Sequence, residues 1–90
     1  MLLFDLGTIV ITDGATALLT EIQDIDAAAR LIRRHVTGDW GELDAHDRQV
    51  NQENLRRGWR LMSVYTLPGG QRVWIITDQG VTTILLPDEY

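Results

Sequence analysis

The chain has 90 residues, thirteen acidic against eight basic, with no cysteine and a hydrophobic share of 44%. That length closes one core and not two, the mix is that of a folded domain, and the lack of thiols excludes disulfide staples, thiolate metal sites and cysteine nucleophiles together. A net charge of −5 opposes nucleic acid at long range, so phosphate binding would need a local arginine patch working against the field of the whole molecule.

The opening Met1-Leu2-Leu3-Phe4-Asp5 carries no basic residue and too short an apolar run for a signal peptide. No later run approaches membrane-spanning length, and with no cysteine to oxidise, a soluble cytoplasmic protein is expected. Residues 2 to 12 read as a first strand in two halves, Leu2 to Leu6 and Thr8 to Thr12, with Gly7 as a bulge or kink between them. Thr12-Asp13-Gly14 offers a helix N-cap, and Ala15, Leu18, Leu19 and Ile22 take the spacing of a buried stripe in a helix from Ala15 to Ile22. Gln23-Asp24-Ile25-Asp26 breaks that helix and places Asp24 or Asp26 at the start of the next, Ala27 to Val36. Its apolar stripe is Ala28, Leu31, Ile32, His35 and Val36, while Arg30, Arg33, Arg34 and Thr37 point the other way.

Gly38 supplies the stop. In Gly38-Asp39-Trp40-Gly41-Glu42-Leu43, two glycines around one tryptophan predict a backbone that approaches something closely, with Trp40 itself expected to be exposed. Asp44-Ala45-His46-Asp47 has capping-box spacing and opens a third helix to about Arg57, with Gly58 as its stop. Apart from Ala45, Val50 and Leu55 this helix is polar all round, which makes it the most exposed of the three.

From Trp59 to Leu86, three β-type runs are separated by Pro68-Gly69-Gly70 and Asp78-Gln79-Gly80. Loops that short join only antiparallel neighbours, so the segment is a meander. Alternation places Leu61, Ser63, Tyr65 and Leu67 on one side of the first run and Arg60, Met62, Val64 and Thr66 on the other. The second run divides into Val73, Ile75 and Thr77 against Arg72, Trp74 and Ile76. Large apolar groups on both sides predict that some of Met62, Val64, Trp74 and Ile76 face a partner or the third helix. The expected fold is α+β: a four-stranded, mostly antiparallel sheet, made of the N-terminal strand plus the C-terminal meander, with two or three short helices between strands 1 and 2, in one domain over 1–90.

Chemistry-bearing residues are sparse. His35, with Asp39 four residues on, is the candidate general base of a small hydrolase, but a histidine on an apolar stripe is more often a hydrogen-bonded core residue. Zinc needs three or four ligands, and only His35, His46 and scattered carboxylates are at hand, so no metal and no cofactor is expected. Ser63 lies inside a strand with no histidine near it in sequence, which argues against a triad. Seven of the eight arginines fall between positions 30 and 60, interspersed with Asp39, Glu42, Asp44, Asp47 and Glu53. That mixture reads as solvated surface before it reads as a nucleic-acid site.

As a set, His35-Val36-Thr37-Gly38-Asp39-Trp40-Gly41, Asp47, Asn51, Gly58-Trp59-Arg60-Leu61-Met62-Ser63-Val64-Tyr65, Trp74-Ile75-Ile76-Thr77 and Thr82-Thr83-Ile84-Leu85-Leu86-Pro87-Asp88-Glu89-Tyr90 resemble a family of small proteins carried on bacterial plasmids and integrative elements. Leu6-Gly7-Thr8-Ile9-Val10 and Gly14-Ala15 extend the resemblance over nearly the whole chain, and Asp78-Gln79-Gly80 departs from it in being short. The family has no catalytic site to carry over. The resemblance implies mobile-element cargo, a setting in which small acidic proteins act on host defence or plasmid maintenance.

The expectation is therefore a non-catalytic module that binds a protein, in its sharpest version an inhibitor or modulator of a restriction or CRISPR-type nuclease of the host. Its binding surface is expected at Asp39, Trp40, Glu42, Asn51, Asn54, Arg56, Arg57, Arg60 and Trp74. The alternatives are a nucleic-acid-binding regulator using Arg30, Arg33, Arg34, Arg56 and Arg57, and a hydrolase centred on His35 and Asp39. Exposed strand surface also raises pairing of two copies, through a sheet edge or the outer face.

Overall fold

Short glycine-bearing turns between β-branched runs leave the last third of the chain no choice but antiparallel pairing. In the computed structural model, which describes residues 1–90, β1 (Thr8–Ile11), α1 (Asp13–Glu21), α2 (Ala27–Val36) and α3 (Ala45–Arg57) precede the meander β2 (Leu61–Thr66), β3 (Arg72–Asp78) and β4 (Val81–Leu85). A one-turn 3-10 helix, Pro87–Glu89, follows. Gln79 and Gly80 both take positive φ, 49° and 78°, the combination that a two-residue hairpin loop needs to follow the twist of its strands.

The sheet runs β1-β4-β3-β2. β2, β3 and β4 are antiparallel, with Ser63 opposite Ile75 and Ile75 opposite Ile84. β1 joins β4 in parallel, with Ile9 opposite Thr82 and Ile11 opposite Ile84. The sheet is thus mixed and mostly antiparallel, and β4, last of the four in the chain, is an interior strand. All three helices lie in the connection from β1 to β2, which carries the chain from one edge of the sheet to the other.

The expected extended half at Leu2 to Leu6 is not strand. Leu3 N–H bonds Val36 O at 2.9 Å, Phe4 turns its ring toward His35 and Trp40, and Gly7, at φ 64°, donates its N–H to Asp5 Oδ1. In place of a ladder, this segment has the half-buried Phe4 and Leu6 and the bond of Leu3 to the end of α2.

One face of the sheet packs under the helices. Ala15 and Leu31 meet Tyr65, Leu67, Val73, Ile75 and Ile84, with Leu18, Leu19, Ile22, Ala28 and Ile32 around them. Burying the aliphatic side chains contributes roughly 1.5–3 kcal/mol each and supplies most of the drive to fold. A second cluster of Trp40, Leu43, Leu61 and Val64, with Phe4, Leu55, Met62 and Trp74 beside it, sits where α3 lies along β2. Only Asn51 of α3 is buried, as its polar sequence predicts. On the other face Val64 and Leu85 are buried, Met62, Trp74, Ile76 and Thr83 are half-buried and Val10 is exposed.

The chain end is tied to α1 by one carboxylate. Thr12 caps the helix, its Oγ1 accepting from Ala15 N–H at 3.2 Å, while it donates to Glu89 Oε1 at 2.6 Å. Glu89 also accepts from Gly14 N–H and Leu86 N–H. A negative group at a helix N-terminus is favoured by the orphan N–H groups and the dipole, and the bond from Thr12 chiefly holds the Glu89 carboxyl below its usual range. A group whose folded pKa is depressed stabilises above its unfolded pKa and loses that effect as pH falls. Glu89→Ala is accordingly expected to lower the melting temperature at neutral pH. The gap from the parent narrows as the medium is acidified through the carboxylate range, as thermal melts at a series of pH values would record.

Candidate functional site

β2 is an edge strand, so the backbone groups of Arg60, Met62 and Val64 face away from β3 and need partners from outside the ladder. The segment between α2 and β2 provides partners for all of them but the Arg60 N–H. Asn51 uses both ends of its amide, donating from Nδ2 to Met62 O at 2.6 Å and accepting from Met62 N–H at 3.2 Å. Asn54 Nδ2 donates to Arg60 O at 2.8 Å. Val64 N–H donates to Trp40 O at 3.1 Å and Val64 O accepts from Glu42 N–H at 2.8 Å, while Thr66 Oγ1 donates to the Glu42 carboxylate. Gly41 sits in this bridge at φ 71°, where a Cβ would fall 2.0 Å from Val64 O. The close approach expected from paired glycines is therefore an approach to β2.

This geometry relocates several of the expected binding residues. Trp40 is 4% exposed, a correction to its expected exposure; its ring lies between the Gly41 bridge and the rings of Phe4 and His35, and its indole N–H has no partner. Asn51 is buried as well, spent on Met62. Asn54 is half-buried, and Glu42 is exposed at the end of the bridge. Asp39 is exposed, its carboxylate held below its usual range chiefly by Arg34, at 2.7 Å, and also accepting from Gly41 N–H. Arg56 and Arg57 both pair with Glu53. Arg60 and Trp74 converge with Tyr90: the Arg60 guanidinium lies 4.9 Å from the Tyr90 ring centre, and the Tyr90 and Trp74 rings are 5.4 Å apart at 61°. The expected surface thus divides into a structural cap for β2 and a cluster in which the exposed Tyr90 covers the half-buried Arg60 and Trp74.

His35 and Ser63, which sequence separation kept apart, are in contact. Both are fully buried, with His35 Nδ1 2.6 Å from Ser63 Oγ and Nε2 2.9 Å from Thr77 Oγ1. Thr77 Oγ1 lies 2.7 Å from Thr82 Oγ1, which donates to Leu6 O at 2.6 Å. The terminal carbonyl sets the direction of the series. Leu6 O can only accept, so the one proton of Thr82 goes there, Thr77 must donate to Thr82, and His35 must donate to Thr77 from Nε2. Nδ1 is then the acceptor, and Ser63 the donor to it. The imidazole is neutral in this arrangement, and burial pushes its pKa down to about 4. The Asp39 carboxylate is engaged by Arg34 and Gly41, not by His35. Ser63, Thr77 and Thr82 could have been found in the sequence as the hydroxyl residues on the otherwise apolar inward positions of β2, β3 and β4.

Of the segment's arginines, Arg30 pairs with Asp24 at 2.5 Å and Arg34 with Asp39, and Arg48 donates to the carbonyls of Leu43 and Gly41. No three His, Asp or Glu side chains converge in a metal-ligating cluster, and no helix is long and apolar enough to cross a membrane. In comparisons with known proteins, the chain matches no family model, no curated protein and no solved structure.

Two outcomes are expected. The unfolded chain takes up a proton on His35 near its ordinary pKa of 6.5, whereas the folded chain refuses it until about 4. Stability is therefore full above that upper value and falls as pH drops between the two. A shift of that size corresponds to about 3 kcal/mol, and urea titrations across the window would measure it, with a His35→Gln variant showing a flatter profile. Gly58 and Gly41 share positive φ, but Gly58 has open space where Gly41 meets Val64 O. Gly58→Ala should cost about 1–2 kcal/mol for its backbone conformation alone, and Gly41→Ala clearly more, in chemical denaturation.

Proposed function

We propose that the chain is a non-catalytic protein-binding module that uses the outer face of its sheet, around Arg60, Trp74 and Tyr90. The observation that carries this reading is the Arg60–Tyr90–Trp74 cluster, the guanidinium over the Tyr90 ring and that ring edge-on to Trp74, with Tyr90 69% exposed on a face where Met62 and Ile76 are only half-buried. Arginine, tryptophan and tyrosine dominate binding energy at protein interfaces, the two aromatics because they bring large contact areas at little conformational cost and arginine through its planar, many-donor fork. A second pair of the same kind, Arg57 over the exposed Trp59 at 4.8 Å, flanks the junction of α3 and β2.

The alternatives find less support. Arg30, Arg34, Arg56 and Arg57 are paired to carboxylates, which weakens the local field a nucleic-acid site needs on a molecule of charge −5. A hydrolase centred on His35 would need substrate to reach a ring that is sealed in the core. In the sharper form that follows from the family resemblance, the partner is a nuclease of host defence, blocked or modulated by occupation of its surface.

The parent protein, Arg60→Ala and Tyr90→Ala would be used as baits in lysate from a host that carries such a nuclease. A defined protein retained by the parent is expected to be held about tenfold or more weakly by either variant, with melting temperatures little changed. Absence of any defined partner, or equal retention by all three baits, would overturn the reading.

A further inference from the structure

We propose that two copies of this chain pair through β1, antiparallel about Val10, to make one eight-stranded sheet. β1 is the edge opposite β2, and the two are treated differently. Thr8 N–H bonds Gly80 O at 2.9 Å and Thr12 N–H bonds Ile84 O at 3.0 Å, so the parallel ladder turns the backbone of Thr8 and Val10 toward β4 and that of Ile9 and Ile11 outward. Where β2 has Asn51, Asn54 and the Trp40 to Glu42 bridge, nothing in the chain meets the outward groups of Ile9 and Ile11. The strand also lacks the usual guards of a free edge: Thr8–Ile11 contains no charge and no proline, and Ile9, Val10 and Ile11 are 46%, 43% and 40% exposed.

The occupant follows from the symmetry of the pattern. An antiparallel copy with its two-fold axis at Val10 sets Ile9 opposite Ile11 and Ile11 opposite Ile9. Each pair exchanges two hydrogen bonds, so four are made and every outward group between them is used. No acids are opposed, since Asp13 falls across from Gly7 of the second copy. The side chains match as well. Ile9 and Ile11 belong to the helix face of the sheet, where an open cleft of about 620 Å³ runs beside Ile11, lined by Leu19, Ala28 and Ile25 among others. Ile9 of one copy, opposite Ile11 of the other on that face, meets the other's cleft, whose lining includes Ile25, 95% exposed. This gives the pairing apolar area that a four-residue ladder alone lacks. A standard interface of about 800 Å² per partner is roughly one-seventh of the 5689 Å² surface of the chain. With β2 capped and both copies of β1 consumed, association closes at two and does not propagate into a fibre.

Register-specific crosslinking tests this, and the chain has no cysteine of its own to interfere. Val10 occupies a non-hydrogen-bonded site on the axis, so Val10→Cys places two thiols with Cβ atoms about 5 Å apart, within reach of a disulfide. Thr8→Cys places each thiol opposite Thr12 of the other copy, away from its twin. At high micromolar concentration the parent is expected to scatter with a mass near twice 10.2 kDa. Val10→Cys should form a covalent dimer under dissolved oxygen while Thr8→Cys stays monomeric on a non-reducing gel. Ile9→Lys should weaken association at least tenfold with its circular dichroism unchanged. A monomeric parent, or crosslinking that is equal at positions 8 and 10, would overturn the proposal. The pairing stands apart from the outer-face reading, so Tyr90→Ala should leave the dimer intact, and loss of one activity does not entail loss of the other.

Discussion

The structure depends on a buried histidine whose two ring nitrogens are both spoken for. Ser63, His35, Thr77, Thr82 and the carbonyl of Leu6 form one directional series that touches β2, α2, β3, β4 and the segment before β1. Polar groups in a dry interior are costly unless each has its partner, so this series admits one arrangement of the elements and penalises neighbours of it. A slip of one residue in β2 or β3 would turn Ser63 or Thr77 to the other face and leave the imidazole unpaired. The apolar contacts supply the drive to fold, whereas the hydroxyl series selects which fold.

The motifs that make the sequence distinctive turn out to serve the same end. Gly38-Asp39-Trp40-Gly41 and the helix after it close the β2 edge, with Gly41 thin enough to lie against Val64 and Asn51 acting as a one-residue surrogate strand. Pro87-Asp88-Glu89-Tyr90 ties the last strand to α1 through Glu89 and lays Tyr90 on Trp74. The long polar helix α3, which a helical apolar stripe would not justify, is placed by these amides. Its role is to satisfy backbone groups more than to bury hydrocarbon.

The meander was legible in the sequence because its turns are local: glycine at positive φ and runs of β-branched residues fix strand, loop and antiparallel sense within a few positions. Helix ends were legible for the same reason at Asp44 and Gly58, and Thr12-Asp13-Gly14 marked the start of α1, where Thr12 is the cap. What depended on distant partners was not. Alternation reads the same for parallel and antiparallel neighbours, so the pairing of β1 with β4 was hidden. Trp40 looked exposed because its flanking glycines resemble a loop tip, when they mark a backbone pressed against Val64. Ser63 seemed isolated because its histidine is 28 residues away. Of the candidate site, Arg60 and Trp74 were visible as residue types, but Tyr90, which joins them into a cluster, is reached only through the fold.

The interior position of β4 also orders events in time. Leu6 and Thr82 meet across 76 residues and Thr12 and Glu89 across 77, so the contacts that bring the amino-terminal segment to the last strand close the longest loops in the molecule. The hairpins β2-β3 and β3-β4 close within a few residues and can zip early, offering a template on which the amino-terminal segment docks late. Within a single copy the strand that docks last is held by one neighbour only, the condition under which local opening costs least.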